Sequence, residues 1–179
     1  MRYFTIERKD VYRPRISLPY TINEQINLKK GKTEFVERVA VWTEKESDFT
    51  FFSDILTDPL LLLSSKAKEV LQLYDAKTAF KQIILFGKEE ETVMQYYLPV
   101  LSEVNGQRTG DGKVALYKKD KSILERMPIV RLKIGESIRY LLNMEIVESF
   151  LKRRITGINV EMVDIVFDRE YEKSGEYMC

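Results

Sequence analysis

The sequence predicts an α+β fold, a largely antiparallel or mixed sheet packed by two main helices at about 65–75 and 144–154. Three observations lead there. Segments rich in β-branched and aromatic residues outnumber those with a helical apolar period. Twice, a short apolar run meets a capping residue and then an amphipathic helix: Leu60 to Leu63 before Ser64 and Ser65, and Tyr140-Leu141-Leu142 before Asn143. Glycines at 31, 87 and 135 then mark turns between the apolar runs.

Taken in order, Tyr3-Phe4-Thr5-Ile6 reads as an opening strand, and prolines at 14 and 19 keep the charged stretch after it from being helical throughout. Val36, Val39, Val41 and Trp42 suit a strand. Phe49 to Phe52 and Ile55-Leu56 read as a short helix or turn packed beneath the first main helix. In that helix Ala67, Val70, Leu71 and Tyr74 recur at i, i+3, i+4 and i+7, one face laid on a core. A serine hydroxyl accepts from the first turn, while Lys66 and Lys68 bring positive charge to the positive end of the dipole, an expected penalty of roughly 0.3–1 kcal/mol each if exposed.

Phe80 to Phe86 and Tyr96 to Leu101 follow as strands. Pro99, which has no N–H, places the second at an edge or makes it begin irregularly. Residues 105–113 form a loop or hairpin connection, with a brief strand at Val114 to Tyr117. Val130, Leu132 and Ile134 alternate with Arg131 and Lys133, the pattern of a strand with one face in the core and one in water. The second helix has Asn143 as its cap, Ile146, Val147, Phe150 and Leu151 as its apolar face, Lys152, Arg153 and Arg154 at its negative end and Gly157 as its stop. Between Ile158 and Phe167 the apolar parity changes at Met162-Val163, which signals a bulge or a strand end, and the tail from Asp168 is expected to be loosely ordered.

The totals exclude whole classes of function. The 29 basic residues balance 28 acidic ones, so a general nucleic-acid or membrane-surface binder, which carries a basic excess, is not expected. With no histidine, Ser-His-Asp and Cys-His catalysis and His-ligated zinc are ruled out. Cys179 stands alone, so no intramolecular disulfide forms and no cysteine cluster holds zinc. The first ten residues lack the apolar core of a signal peptide, and the leucine run is too short to span a bilayer, which gives a cytoplasmic expectation.

Candidate sites each have a plainer reading. The stretch Gly106 to Val114 superficially resembles a phosphate loop, but its spacing is one residue too long and Val114 stands where a hydroxyl is required, so it reads as a glycine-bearing turn. Asp48, Asp54 and Asp58 could hold a divalent ion or run acid/base catalysis if close, yet carboxylates before apolar runs more often cap and turn. The basic cluster from Arg8 to Arg15, with Tyr12 interleaved, reads first as a solvated loop and second as a phosphate or acidic-partner contact. The expectation is therefore no catalytic residue, no cofactor and no metal. Trp42 and the ten tyrosines are core or sheet-surface residues by default.

Leu62 to Leu71, then Tyr96-Tyr97-Leu98-Pro99-Val100-Leu101, then Tyr140-Leu141-Leu142 with its charged helix and Ile155-Thr156-Gly157-Ile158 through Val163 together resemble a bacterial family. That family was long catalogued as a domain of unknown function and is now assigned to immunity proteins of polymorphic toxin systems, of the type first described from myxobacteria. The resemblance spans about 54–163 and brings no catalytic residues. It implies a small cytoplasmic protein that binds a cognate toxin domain and blocks it stoichiometrically. The alternatives are a carboxylate- or lysine-based enzyme and a nucleic-acid or phage-related binding protein. One domain is expected over 1–179, with 54–167 as the family-like core and 1–53 able to form an amino-terminal subdomain. Because the amino-terminal part lies outside the resemblance, its Tyr12, Arg13, Arg15 and Tyr20 are the expected partner-binding anchors.

Overall fold

Val163 and Ile165, separated only by Asp164, belong to opposite edges of one sheet. That relation organises a computed structural model which describes residues 2–6, 15–17, 39–44, 52–57, 60–87 and 93–169. The described elements run β1 (Tyr3–Ile6), β2 (Arg15–Ser17), β3 (Val39–Glu44), β4 (Ile55–Leu56), β5 (Leu62–Leu63), α1 (Ser65–Tyr74), β6 (Phe80–Gly87), β7 (Val93–Pro99) and β8 (Glu103–Arg108). They continue with β9 (Val114–Tyr117), α2 (Lys121–Arg126), β10 (Ile129–Ile134), β11 (Ser137–Asn143), α3 (Met144–Lys152), β12 (Val160–Val163) and β13 (Ile165–Arg169). The fold is α+β with mixed sheets.

The first sheet has the order β12-β1-β11-β10-β8-β9-β13. β12 pairs antiparallel with β1, and β13 pairs parallel with β9, so one nearly continuous segment of chain stitches the two edges together and the sheet curls into a barrel. Val104, Val114, Leu116, Val130, Leu132 and Leu141 fill its interior, and Leu124 of α2 packs into the same cluster. At Gly106 a Cβ would come within 2.9 Å of the Leu132 and Val114 side chains, so only glycine fits at that level of the barrel.

The second sheet has the order β2-β3-β6-β7-β5-β4. Val41, Ile83, Leu85 and Tyr96 on one of its faces close on Leu56, Leu60 and Leu62. A third cluster joins the two sheets through the helices: Val70 and Leu71 of α1, Ile146 and Phe150 of α3, Ile55 and Leu63, and Ile129, Tyr140 and Leu142 from the outer wall of the barrel. Two buried tyrosine hydroxyls tie these layers. Tyr140 accepts from the Leu61 N–H at 3.0 Å, and Tyr96 donates to the Ser53 carbonyl at 2.6 Å. Burial pushes both phenols above their ordinary range.

Both caps fall where the sequence places them. Ser64 accepts from the Ala67 N–H and Asn143 from the Ile146 N–H. The lysines at the start of α1 are compensated. Lys66 donates to the Arg154 carbonyl just past α3, where backbone acceptors lack helical partners, and Lys68 lies 4.2 Å from the centre of the Tyr97 ring.

Several expectations are corrected. Ile55-Leu56 is a strand rather than a helix or turn, because Ile55 and Leu56 pair with Leu63 and Leu62. Tyr74 and Leu151, expected on the apolar faces, are 41% and 56% exposed, since the buried faces stop at Leu71 and Phe150. Val130 and Ile129 are both buried, so β10 has core on both sides where barrel interior and helical layer meet. Gly157 does not end α3: Arg154 adopts the left-handed conformation at φ 53°, and the Ile155 N–H closes the turn on the Phe150 carbonyl. Pro99 ends β7 instead of marking an edge. β7 lies between β6 and β5, but β5 meets it only at Leu63 opposite Tyr97, so position 99 has no ladder to donate to on that side. The parity change at Met162-Val163 separates two faces. Val160 packs on the helical layer and Val163, Ile165 and Phe167 line the barrel, with the strand broken at Asp164. Asp168 and Arg169 belong to β13, and the tail beyond them lies outside the described residues.

Candidate functional site

Alternation in β3 decides which side chains the second sheet shows to solvent. Val41 and Thr43 are buried, so Ala40 and Trp42 point the other way, and Trp42 is 58% exposed. The register sets Trp42 opposite Phe86 of β6, and Phe86 opposite Val93 of β7. Residues directly opposite share a face, so the three side chains form one row across three strands. Trp42 and Phe86 pack with ring centroids 5.5 Å apart at 44°, and Val93 is 62% exposed at the end of the row. The next row, Ala40, Ile84 and Gln95, continues the face.

At its other end this face is covered. Phe80 and Tyr97 sit beneath Lys68 of α1, the ammonium 5.6 and 4.2 Å from the two ring centres. One sheet face thus runs from a helix-covered end to an open aromatic end. Single exposed apolar residues are ordinary, but a tryptophan braced on a neighbouring ring and flanked by valine is the kind of pre-ordered group that anchors protein contacts. β2, the outermost strand, runs beside it with Ser17 opposite Trp42 and Arg15 opposite Glu44.

Of the expected anchors, Arg15 therefore lies on the strand next to Trp42. Tyr12, Arg13 and Tyr20 lie outside the described residues. The sequence assigns Trp42 to the core or a sheet surface by default, and the structure places it on a sheet surface; Phe86 and Val93 are not singled out by the sequence as anchors. The signal was present: with Val41 and Thr43 one residue to either side, Trp42 must point away from whatever they bury.

The carboxylate trio is not a described cluster. Asp48 and Asp58 lie outside the described residues, and among the described residues no group of three histidine, cysteine, aspartate or glutamate side chains could hold a metal ion. Asp54 has another task. Its Oδ1 accepts from the Ser64 hydroxyl at 2.7 Å, and its Oδ2 accepts from the Thr156 N–H at 2.9 Å and hydroxyl at 3.0 Å. Partial burial pushes its carboxyl up, but those bonds and the nearby Lys66 charge outweigh it and hold the group below its ordinary value. The phosphate-loop candidate resolves into the end of β8 and the turn to β9, with a strand and not a helix following, so no helix N-terminus faces a phosphate there. No described helix is long and apolar enough to cross a membrane. No protein-family model matches the chain, and no curated protein matches it.

Proposed function

We propose that this chain is an immunity-type protein that neutralises a cognate bacterial toxin domain in the cytoplasm by stoichiometric contact, and that the open face of the second sheet is its docking surface. The observation that carries the reading is the row of exposed Trp42, half-buried Phe86 and exposed Val93, braced ring on ring beside the outermost strand β2. A blocking protein needs a rigid, pre-ordered patch, because ordering mobile side chains on contact consumes binding free energy. Trp42 is suited to that role: its backbone is fixed in a ladder on both sides, and its ring is fixed by Phe86. The resemblance to immunity proteins over 54–163 supplies the class of partner. The neighbouring amino-terminal strand, which carries Arg15, supplies sequence outside that resemblance where partner-specific differences would reside.

The test is titration of the purified chain against the proposed cognate toxin domain, reading toxin activity. Protection that saturates near one equivalent, with Trp42→Ala weakening affinity by roughly 30-fold or more, supports the reading, since a hot-spot loss of about 2 kcal/mol or more corresponds to that factor. Protection complete at a small fraction of one equivalent means turnover, and contradicts it.

A further inference from the structure

The barrel has one plugged end and one open end. Leu124 of α2 joins the interior cluster at the first, while at the second a cavity of about 250 Å³ opens between the β8–β9 turn, β11 and β12. Barrel mouths are places where small ligands are held. What distinguishes this mouth is the charge on its inner wall. Arg108 lies opposite Val114, and Arg139 opposite Leu132, both core residues of the barrel; Glu161 lies opposite Thr5, itself opposite Leu141. Because paired residues share a face, register turns all three charged side chains inward. The alternation that fills the barrel with valine and leucine thus ends in two guanidiniums and a carboxylate, all three lining the cavity above Val114, Leu132 and Val163.

Three further charged residues line the cavity, Lys113, Asp111 and Asp164, and the first two cancel locally. Lys113 pairs with Asp111 at 2.6 Å, and that hydrogen bond, with one from Thr109, brings the Asp111 carboxyl down to about 2. Arg139 already has an interaction of its own within the chain. Arg108 and Glu161 make no side-chain hydrogen bond or ion pair among the described residues, although both line the same cavity. A simple anion entering here would face the Glu161 carboxylate, and a simple cation would face two guanidiniums. A molecule carrying both signs meets neither conflict.

We propose that the barrel mouth is a binding site for a small zwitterion, an α-amino acid or dipeptide, with its carboxylate on the Arg108 guanidinium and its ammonium on Glu161. The guanidinium fork matches a carboxylate in two parallel hydrogen bonds, which a lone ammonium could not do. The cavity is below the roughly 300–1,000 Å³ of sites for drug-sized ligands, which suits a molecule of one or two residues. The site lies on the first sheet and does not depend on the docking face of the second.

Isothermal titration of the full chain with the twenty α-amino acids and glycylglycine, alongside acetate, inorganic phosphate and ethylammonium, tests this. The expected result is saturable one-site binding of at least one zwitterion with Kd below ~1 mM, and none of the three simple ions binding at that concentration. Arg108→Ala and Glu161→Gln should each weaken it about tenfold or more, with thermal melting reporting that both variants remain folded. Binding of no zwitterion, binding of acetate or phosphate as tight as the best zwitterion, or unchanged affinity in Glu161→Gln would each overturn the proposal. Glu161→Gln is nearly isosteric and exposed, and the wild-type selectivity is decisive even if Arg108→Ala fails to fold.

Discussion

Asp54 and Thr156 exchange hydrogen bonds in both directions across 102 residues of sequence: the Asp54 N–H donates to Thr156 Oγ1 at 2.8 Å, while the Thr156 N–H and hydroxyl donate back to Asp54 Oδ2. The Ile55 N–H donates to the Thr156 carbonyl at 3.1 Å, and the Asp54 carbonyl accepts from the Ser64 N–H. The approach to α1 and the exit from α3 are therefore fastened at one carboxylate. Its folded titration lies below its ordinary value of 3.8, so it contributes stability above that pH, and the contribution is lost as pH falls through the lower folded value. Asp54→Asn should cost about 1–3 kcal/mol at pH 7, as lost charge-assisted hydrogen bonds do. In denaturant unfolding from pH 7 to 2.5, the gap between wild type and variant should hold at neutral pH and narrow below 3.8. A gap that widens on acidification would show that the carboxylate is not what fastens the joint.

Gly157 sits against the same joint. A Cβ there would come within 2.3 Å of the Ile55 carbonyl oxygen and 2.4 Å of Ser53 Oγ, and its φ is +79°. Gly112 has a similar φ of +84° with open space around it. Gly157→Ala should cost about 2–4 kcal/mol, adding overpacking to backbone strain, and Gly112→Ala only about 1–2 kcal/mol. Equal losses would mean that strain alone is being measured.

Arg154 holds a left-handed position, φ 53°, where glycine is the usual residue. Arg154→Gly relieves about 1–2 kcal/mol of strain and adds roughly 0.5–1 kcal/mol of chain entropy to the unfolded state, for a net gain of about 0.5 kcal/mol. The hydrogen bond from Lys66 survives, because it goes to the backbone carbonyl. A rise in melting temperature checks this; a clear fall would indicate an unrecognised contact of the arginine side chain.

Leu71 is fully buried and Leu151 is 56% exposed. Chemical denaturation should find a loss of about 2–5 kcal/mol for Leu71→Ala and a change within about 0.5 kcal/mol for Leu151→Ala. Comparable losses would contradict the exposure of Leu151.

What the sequence made legible was local. Ser64 and Asn143 cap helices through hydrogen bonds spanning three residues, so their role can be read from neighbours alone. β4 and β5 are two residues each and become strands only by pairing with each other, which no periodicity in so short a run can announce. The six-residue α2 escaped notice because its packing residues, Ile123 and Leu124, complete less than two turns of pattern. Barrel closure depends on β12 meeting β1 and β13 meeting β9, contacts between distant segments that the change of parity at Val163 hinted at but could not assign. The proposed docking face was legible in part. Arg15, one of the four expected anchors, lies on the strand beside Trp42, but recognising the tryptophan required seeing that Val41 and Thr43 claim the buried side.

The most direct test of the proposed toxin neutralisation through the Trp42 face is a calorimetric titration of the chain, wild type and Trp42→Ala, into the proposed cognate toxin domain, with melting temperature measured in parallel. One-to-one binding is expected for the wild type over a patch of about 800 Å² per partner, with affinity weakened by roughly 30-fold or more in the variant. Its melting temperature should change little, because the removed ring is mostly exposed. Undiminished affinity and one-to-one stoichiometry in Trp42→Ala would contradict the assignment of this face, and absence of any binding to the toxin would contradict the function.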